Sequence, residues 1–348
     1  MITNHDIKRG VSLYSYQDHF YLGKLDLEDC IAAVAGCDAE GFEIAPEMMI
    51  PEFPHISDAF VDKWNGWIQR YAVTPAVVTH FADRAMHKYK NLTDDEVFER
   101  SVLYIRAASR LGCKYVRLLH SHHGGGHLLS PYDLVNPQIA ERLLPIAAEY
   151  DVILTLECHS PTHIDDPCHL PYLEAVERTG IRNMGLQPDM SSFQTRDSDA
   201  SLEFHIRRGG HPEIIHYVRE MGSKKSKGEV VDVREVREKI GKMGANDVDL
   251  RYFARQVEFM PPATSLATLK AYASSLVYVH AKFNWANEDG SISEIDYPGV
   301  IKALQDGGYK GYINSEFEGN RFLNDLGDVD EIEQVRRQHL LFKRCLGY

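Results

Sequence analysis

The chain has 348 residues, 44% of them hydrophobic and 26% charged, enough apolar mass to bury a full core in a soluble globular protein. A net charge of -13 argues against a nucleic-acid backbone or an anionic membrane surface as partner, since both are held by clustered Lys and Arg. No apolar stretch approaches the roughly 20 residues of a membrane span, and the start, Met-Ile-Thr-Asn-His, lacks the apolar core of a signal peptide. Cys30, Cys37, Cys113, Cys158, Cys168 and Cys345 form no CxxC pair and show no disulfide spacing. A reduced, cytoplasmic protein is expected.

Strand-like and helix-like segments alternate along the chain. Residues 11–16 read as a first strand and 25–37 as its helix; 41–45 as a second strand and 58–71 as its helix. A third strand is expected at 75–81. The pattern Thr93-Asp-Asp-Glu96 then has capping-box form and opens a long helix to Leu111. Residues 115–120 make a fourth strand, followed by a helix to Tyr150. Four further apolar runs, at 152–156, 184–186, 276–279 and 312–315, read as buried parallel strands. Eight strand–helix units predict an α/β fold of the (β/α)₈ barrel type, and no GxGxxG follows the first strand to suggest an open dinucleotide-binding sheet. One domain is expected over 1–348. The sixth unit carries an insertion at about 198–261, too long for a plain connection. It holds helical stretches around Gly222-Ser-Lys-Lys-Ser-Lys-Gly228, whose lysines read as a solvated turn. Its apolar positions Ile214, Ile215 and Val218 would form an exposed patch unless another surface covered them. A last helix is expected at 328–345.

The last four strands each run into a metal-ligating side chain: Glu157, Asp189, His280 and Glu316. In a closed barrel these C-terminal strand ends converge on one mouth, where chemistry is done. Three carboxylates and an imidazole suit Mn²⁺ best among divalent ions, with Mg²⁺ or Co²⁺ as alternatives, and a structural zinc least. Such an ion polarises carbonyl or hydroxyl oxygens and acidifies a neighbouring C–H, so a base must stand close by. Glu157 and Glu316 are candidates. So is His159, two residues beyond Glu157 and on the same face of a continuing strand.

His80 ends the third strand, and the fourth ends in His120-Ser-His122-His123-Gly-Gly-Gly-His127. His80, His120 and His122 read as substrate contacts, with a second metal as the alternative for the histidine run. Tyr14, Tyr16, Phe20 and Trp285 lie just past strand ends, where aromatic rings either stack on a ligand or pack a lid; Tyr14 and Trp285 are taken as substrate contacts.

The order Glu157, Asp189, His280, Glu316 resembles the xylose-isomerase-like superfamily of sugar-phosphate isomerases and epimerases. Within it, Leu-Glu157-Cys-His159-Ser-Pro, Gln-Pro-Asp189-Met and Asn-Ser-Glu316-Phe-Glu318-Gly are most similar to the α subunit of C-glycoside deglycosidases. That resemblance implies one divalent metal, a small β subunit as partner, and cleavage of the carbon–carbon bond between a 3-oxo-glucosyl unit and an aromatic aglycone. It further implies proton removal at C2 and loss of the aglycone from C1, with His159 as the acid/base. Endonuclease IV-type enzymes and ketohexose 3-epimerases place a histidine where Ser192 stands here. A 3-epimerase or isomerase, or an inosose-type dehydratase, is the alternative activity. A sugar-binding barrel subunit without catalysis is the alternative outside enzymes.

Overall fold

The computed structural model describes residues 6–81, 84, 89–118, 135–160 and 162–348. Eight parallel strands, β1 (Ile7–Ser12), β2 (Gly41–Ile44), β3 (Thr74–His80), β4 (Tyr115–Leu118), β5 (Ile153–Cys158), β6 (Met184–Pro188), β7 (Val279–Phe283) and β8 (Gly311–Phe317), pair in the order β6-β5-β4-β3-β2-β1-β8-β7. Isolated bridges at Leu186–Leu276 and Asp189–His280 join β6 to β7. The sheet is therefore a (β/α)₈ barrel whose thinnest seam lies where the insertion enters and leaves.

Helix boundaries follow local chemistry. The helix Asp94–Arg110 starts where Thr93 Oγ1 accepts from the Glu96 amide and the Glu96 carboxylate accepts from the Thr93 amide. That reciprocal cap satisfies two amides that no helix turn can reach. Outward-facing strand residues such as Val11, Phe42, Leu154, Ala281 and Ile313 pack on the helices as one continuous apolar cluster. Inward-facing Val77, Tyr278 and Tyr312, with Tyr115 against them, form a separate cluster. They plug the lower barrel, so the polar residues above them share a lumen closed from beneath.

Strand bounds differ from the expectation most at β1, which begins at Ile7 rather than at residue 11, and at β7. Residues 13–16 form a 3₁₀ turn rather than the end of β1, and β7 begins at Val279 rather than at Leu276. Leu13 and Tyr16 are buried in the turn, and Tyr278 is buried in the barrel plug. An apolar side chain buried outside a strand has the same sequence signature as one inside it.

The insertion contains helices Asp199–Arg207, Pro212–Ser226, Val233–Lys242 and Asp247–Phe253, the last running into a π-helical turn. Ile214, Ile215 and Val218 are buried, packing with Leu202, Val236, Ile240, Tyr252, Phe253 and Val257 in a small core of the insertion's own. The cover expected for these three residues therefore comes from the insertion's own helices, without need of the barrel or another chain. The lysine segment also differs from a solvated turn: it is helical to Ser226, and Lys225 Nζ donates to the Val257 carbonyl at 2.6 Å. The C-terminal helix is Glu331–Leu346.

Gly319, just past β8, has a positional reason. A Cβ there would lie 1.7 Å from the Asn284 carbonyl oxygen, a backbone atom that no rotamer change can remove. Gly319→Ala should lose about 1–3 kcal/mol of stability, as overpacking commonly does. Thermal denaturation measures it; an unchanged melting temperature would mean that the two backbone segments separate freely.

Candidate metal centre and active site

Strand alternation determines what reaches the lumen. On β5, Thr155 and Glu157 point inward while Leu154, Leu156 and Cys158 join the outer core. The same parity turns His280 and Lys282 inward on β7, and Asn314 and Glu316 inward on β8. Glu157, Asp189, His280 and Glu316 are buried, and one ligand atom from each lies within 4.8 Å of the others. The spacing matches a single ion.

His280 is held from both sides. Its Nε2 lies 2.6 Å from Glu43 Oε2, and its Nδ1 lies 2.9 Å from Glu157 Oε1 and 3.5 Å from Glu316 Oε2. Nδ1 thus faces the ligand cluster, while Glu43 fixes the far side of the ring, the arrangement of a carboxylate–histidine–metal triad. Glu43 on β2 also accepts from Thr79 on β3 and from Ser12 on β1. Arg117 on β4 donates from Nη1 to Glu157 Oε1 at 2.9 Å. Lys282 Nζ stands 2.9 Å from Asp189 Oδ2 and 3.5 Å from Glu316 Oε2.

The electrostatics fit a divalent cation. Four buried carboxylates (Glu43, Glu157, Asp189, Glu316) face two buried cations, Arg117 and Lys282. With His280 neutral, as a ligand imidazole must be, two negative charges are left over. Burial pushes each carboxyl upward, yet Arg117 and His280 hold Glu157 well below its ordinary value, and Lys282 holds Asp189 below its own. Glu316 goes the other way, raised by burial despite His280 and Lys282. Burial opposes charge on His280, but Glu316 and Glu43 outweigh it and raise its affinity for a proton. Glu316 Oε2 has no hydrogen-bond donor, and Asp189 Oδ2 meets Lys282 without hydrogen-bond alignment. Both oxygens lie among the ligand groups, where a cation would satisfy them.

A cavity opens above this cluster, lined by Tyr14, Thr79, Phe81, Arg117, His159, Lys282 and Glu318 among others. His159 Nδ1 lies 2.7 Å from the Ser160 carbonyl, and its Nε2 lies 2.8 Å from Lys282 Nζ. The carbonyl can only accept, so Nδ1 carries the hydrogen, and the Lys282 ammonium can only donate, so Nε2 accepts from it at the floor of the cavity. The structure thus brings Tyr14 and His159 to the four ligand residues. His80 lies elsewhere. β3 alternation turns Thr79 inward and His80 out into the helical layer, where it stacks on Tyr104 with ring centroids 3.9 Å apart and contacts Ser101 Oγ at 3.0 Å. Burial there drops the His80 pKa to about 3. Trp285 is half-buried and does not line the cavity among the described residues. His120 and His122 lie outside the described residues. Glu43, Arg117, Lys282 and Glu318 are the functional groups that the strand-end pattern misses.

Two variants test the centre. Asp189→Ala should bind no stoichiometric Mn²⁺ while its circular dichroism stays that of the parent; full occupancy by elemental analysis would refute the ligand assignment. Glu43→Gln should keep the metal but bind it about 10–100-fold more weakly, the usual effect of removing a histidine's outer carboxylate. An unchanged affinity in a metal-competition titration would make Glu43 a packing residue only.

Comparison with known proteins agrees with this architecture. The chain is 29% identical to a C-glycoside deglycosidase alpha subunit of Arthrobacter globiformis, over 99% of this chain and 94% of that one. It is 27% identical to a 3'-dehydrocarminate deglycosidase alpha subunit of Microbacterium sp., over 97% and 95%. Among solved structures, a D-psicose 3-epimerase superposes with a TM-score of 0.58 at 13% identity, covering 98% of this chain and all of that one. A 3-keto-D-glucoside 4-epimerase from E. coli gives 0.52 at 12% identity, covering 98% and 99%. At such identity these two speak for the fold alone. Residues 31–345 match the family described as Xylose isomerase-like TIM barrel, and the chain belongs to that family.

Proposed function

We propose that the protein is a metal-dependent carbon–carbon lyase that cleaves 3-oxo-C-glucosides, with Mn²⁺ held by Glu157, Asp189, His280 and Glu316. The observation that carries this reading is His159: an imidazole that lines the cavity beside the buried metal-type ligands, its Nδ1 tied to the Ser160 carbonyl and its Nε2 to Lys282. The alpha-subunit relatives support the substrate class and a small partner subunit. That partnership no longer has support from Ile214, Ile215 and Val218, which are already covered. Six free thiols, and the absence of any helix among the described residues long and apolar enough to cross a membrane, accord with a cytoplasmic setting.

A divalent ion at this centre supplies Lewis-acid polarisation of sugar oxygens beside it, which acidifies the adjacent C–H. The remaining steps belong to the chain's own groups. His159 Nε2 takes the proton from C2. As C1=C2 forms, the C1–aryl bond breaks, and the arene leaves with the bonding pair and takes a proton on the same ring carbon. The imidazolium is the proton donor within reach, so the proton lost at C2 can return on the aglycone. Lys282 donates to the same nitrogen at 2.8 Å and orients the ring; that hydrogen bond is given up as Nε2 takes the proton, leaving Lys282 to Asp189 and Glu318. Tyr14 borders the cavity as a sugar or arene contact; burial, followed by Glu318, raises its phenol's pKa and keeps it a neutral donor.

One observation favours a second reading, an epimerase or isomerase in which Glu157 and Glu316 exchange the proton. Glu316 Oε2 has no donor and burial favours its protonated form. His159→Ala separates the two. On a 3-oxo-C-glucoside the variant should lose at least the roughly 100-fold that a general base contributes, with metal content unchanged. Turnover within about threefold of the parent would return the proton transfer to the glutamates.

A further inference from the structure

We infer that the crevice formed by Phe20, Tyr21, Met48 and Met49 is the subsite for the planar, apolar part of the substrate; the inference rests on the lyase reading. The crevice shares Tyr14 and Ala45 with the catalytic cavity, so a molecule spanning both passes over those two residues. The two spaces differ in chemistry. The cavity presents Arg117, Glu157, Lys282 and Glu316, and an arene pressed against them would strip charged groups of polar partners. Among the described residues of the crevice wall, the polar groups are the Gln17 amide and the Tyr14 and Tyr21 hydroxyls, and none carries a full charge. A polar sugar and an apolar arene joined by one bond therefore sort themselves, the sugar to the cavity and the arene to the crevice.

Three features suit a flat ring. Tyr21 is 58% exposed, an unusually open position for a large aromatic residue at the rim of a cleft, and it offers a face for stacking. Phe20 meets Tyr21 nearly edge-on, with ring centroids 6.0 Å apart. Met48 and Met49 form the opposite wall; thioethers pack against aromatic edges and adjust to rings of different width. The crevice is narrow, about 10 Å³ as it stands, so the unbranched Met48 and Met49 side chains must swing aside as a ring enters. The tyrosine-bearing segment itself is anchored: buried Glu331 accepts from the Asp18 and His19 amides at 3.2 and 3.1 Å. An anchored wall facing an adaptable one gives a site that is positioned yet tolerant of arene shape.

The probe is 2-naphthol, an arene without a sugar, titrated into the full chain loaded with Mn²⁺ and followed by ligand-observed NMR and calorimetry. The parent should bind it, and Tyr21→Ser and Met48→Gln should each weaken binding about tenfold with metal content and melting temperature unchanged. Both positions are at least partly exposed, so either variant should fold. No binding to the parent at millimolar naphthol would overturn the inference and leave the crevice to another occupant, such as a side chain of a partner subunit. Equal binding by parent and variants would overturn it too. Naphthol binding that depends on Tyr21 and Met48, in a protein that turns over no 3-oxo-C-glucoside, would support the subsite and sink the lyase reading instead.

Discussion

Four carboxylates share the dry upper lumen of this barrel with one guanidinium and one ammonium, and that surplus of negative charge constrains everything around it. Unpaired buried charges are strongly unfavourable, so Glu43 and Glu157 are hydrogen-bonded from several directions, while Asp189 and Glu316 each keep one oxygen without a hydrogen-bond donor. Glu43 alone draws donors from β1, β3 and β7. Such bonding works as a brace across the lumen, because its partners come from strands that do not pair with one another. The brace matters most at the β6–β7 seam, which has only two isolated bridges. Asp189 and His280 are themselves one of those bridges, so the ligand set and the closure of the barrel are the same feature. A cation bound there would tie the weakest joint of the sheet.

Much of this was legible in the sequence because parallel strands buried on both faces are short, apolar and bounded by helices. The four ligands stood out as charged or imidazole groups where such runs end. What escaped notice followed from parity. Gly-Phe-Glu43-Ile and Tyr-Val-Arg117-Leu each place a full charge inside a four-residue strand, a position that solvent does not reach. A charge there must face the lumen and must be paired, and that signal was as readable as the strand ends. His80 shows the same rule from the other side. It ends β3 and looked like a mouth residue, but its neighbour Thr79 already occupies the inward position. A residue's place at a strand end says how high it sits, and only parity says which way it faces.

The insertion illustrates a different limit. Its helical periodicity was visible, and its apolar residues were correctly seen as needing cover. Sequence cannot say what provides the cover, since a hydrophobic stripe is equally satisfied by a partner chain, the barrel or a neighbouring helix. Here four short helices satisfy one another. Arg207 then ties the insertion to the β8 end, donating to the Phe322 carbonyl and to Asp325. The insertion meets the β8 end through these polar contacts and through Phe204, whose ring meets Phe322 edge-on at 5.8 Å, while keeping an apolar core of its own.

Parity also explains how the site acquires two layers. Residues two apart on a strand face the same way, one about 7 Å above the other. Three ligand strands use this: Glu157 is followed by His159, His280 by Lys282, and Glu316 by Glu318. The lower member of each pair belongs to the ligand cluster, and the upper member lines the cavity above it. The upper members also meet one another, Lys282 Nζ lying 2.8 Å from His159 Nε2 and 3.6 Å from Glu318 Oε1. A layer of ligand-type side chains thus carries a second layer of titratable side chains directly over it, each set by the same three strands. Under the proposed function, the spacing between ion and base would then be a property of the strand repeat.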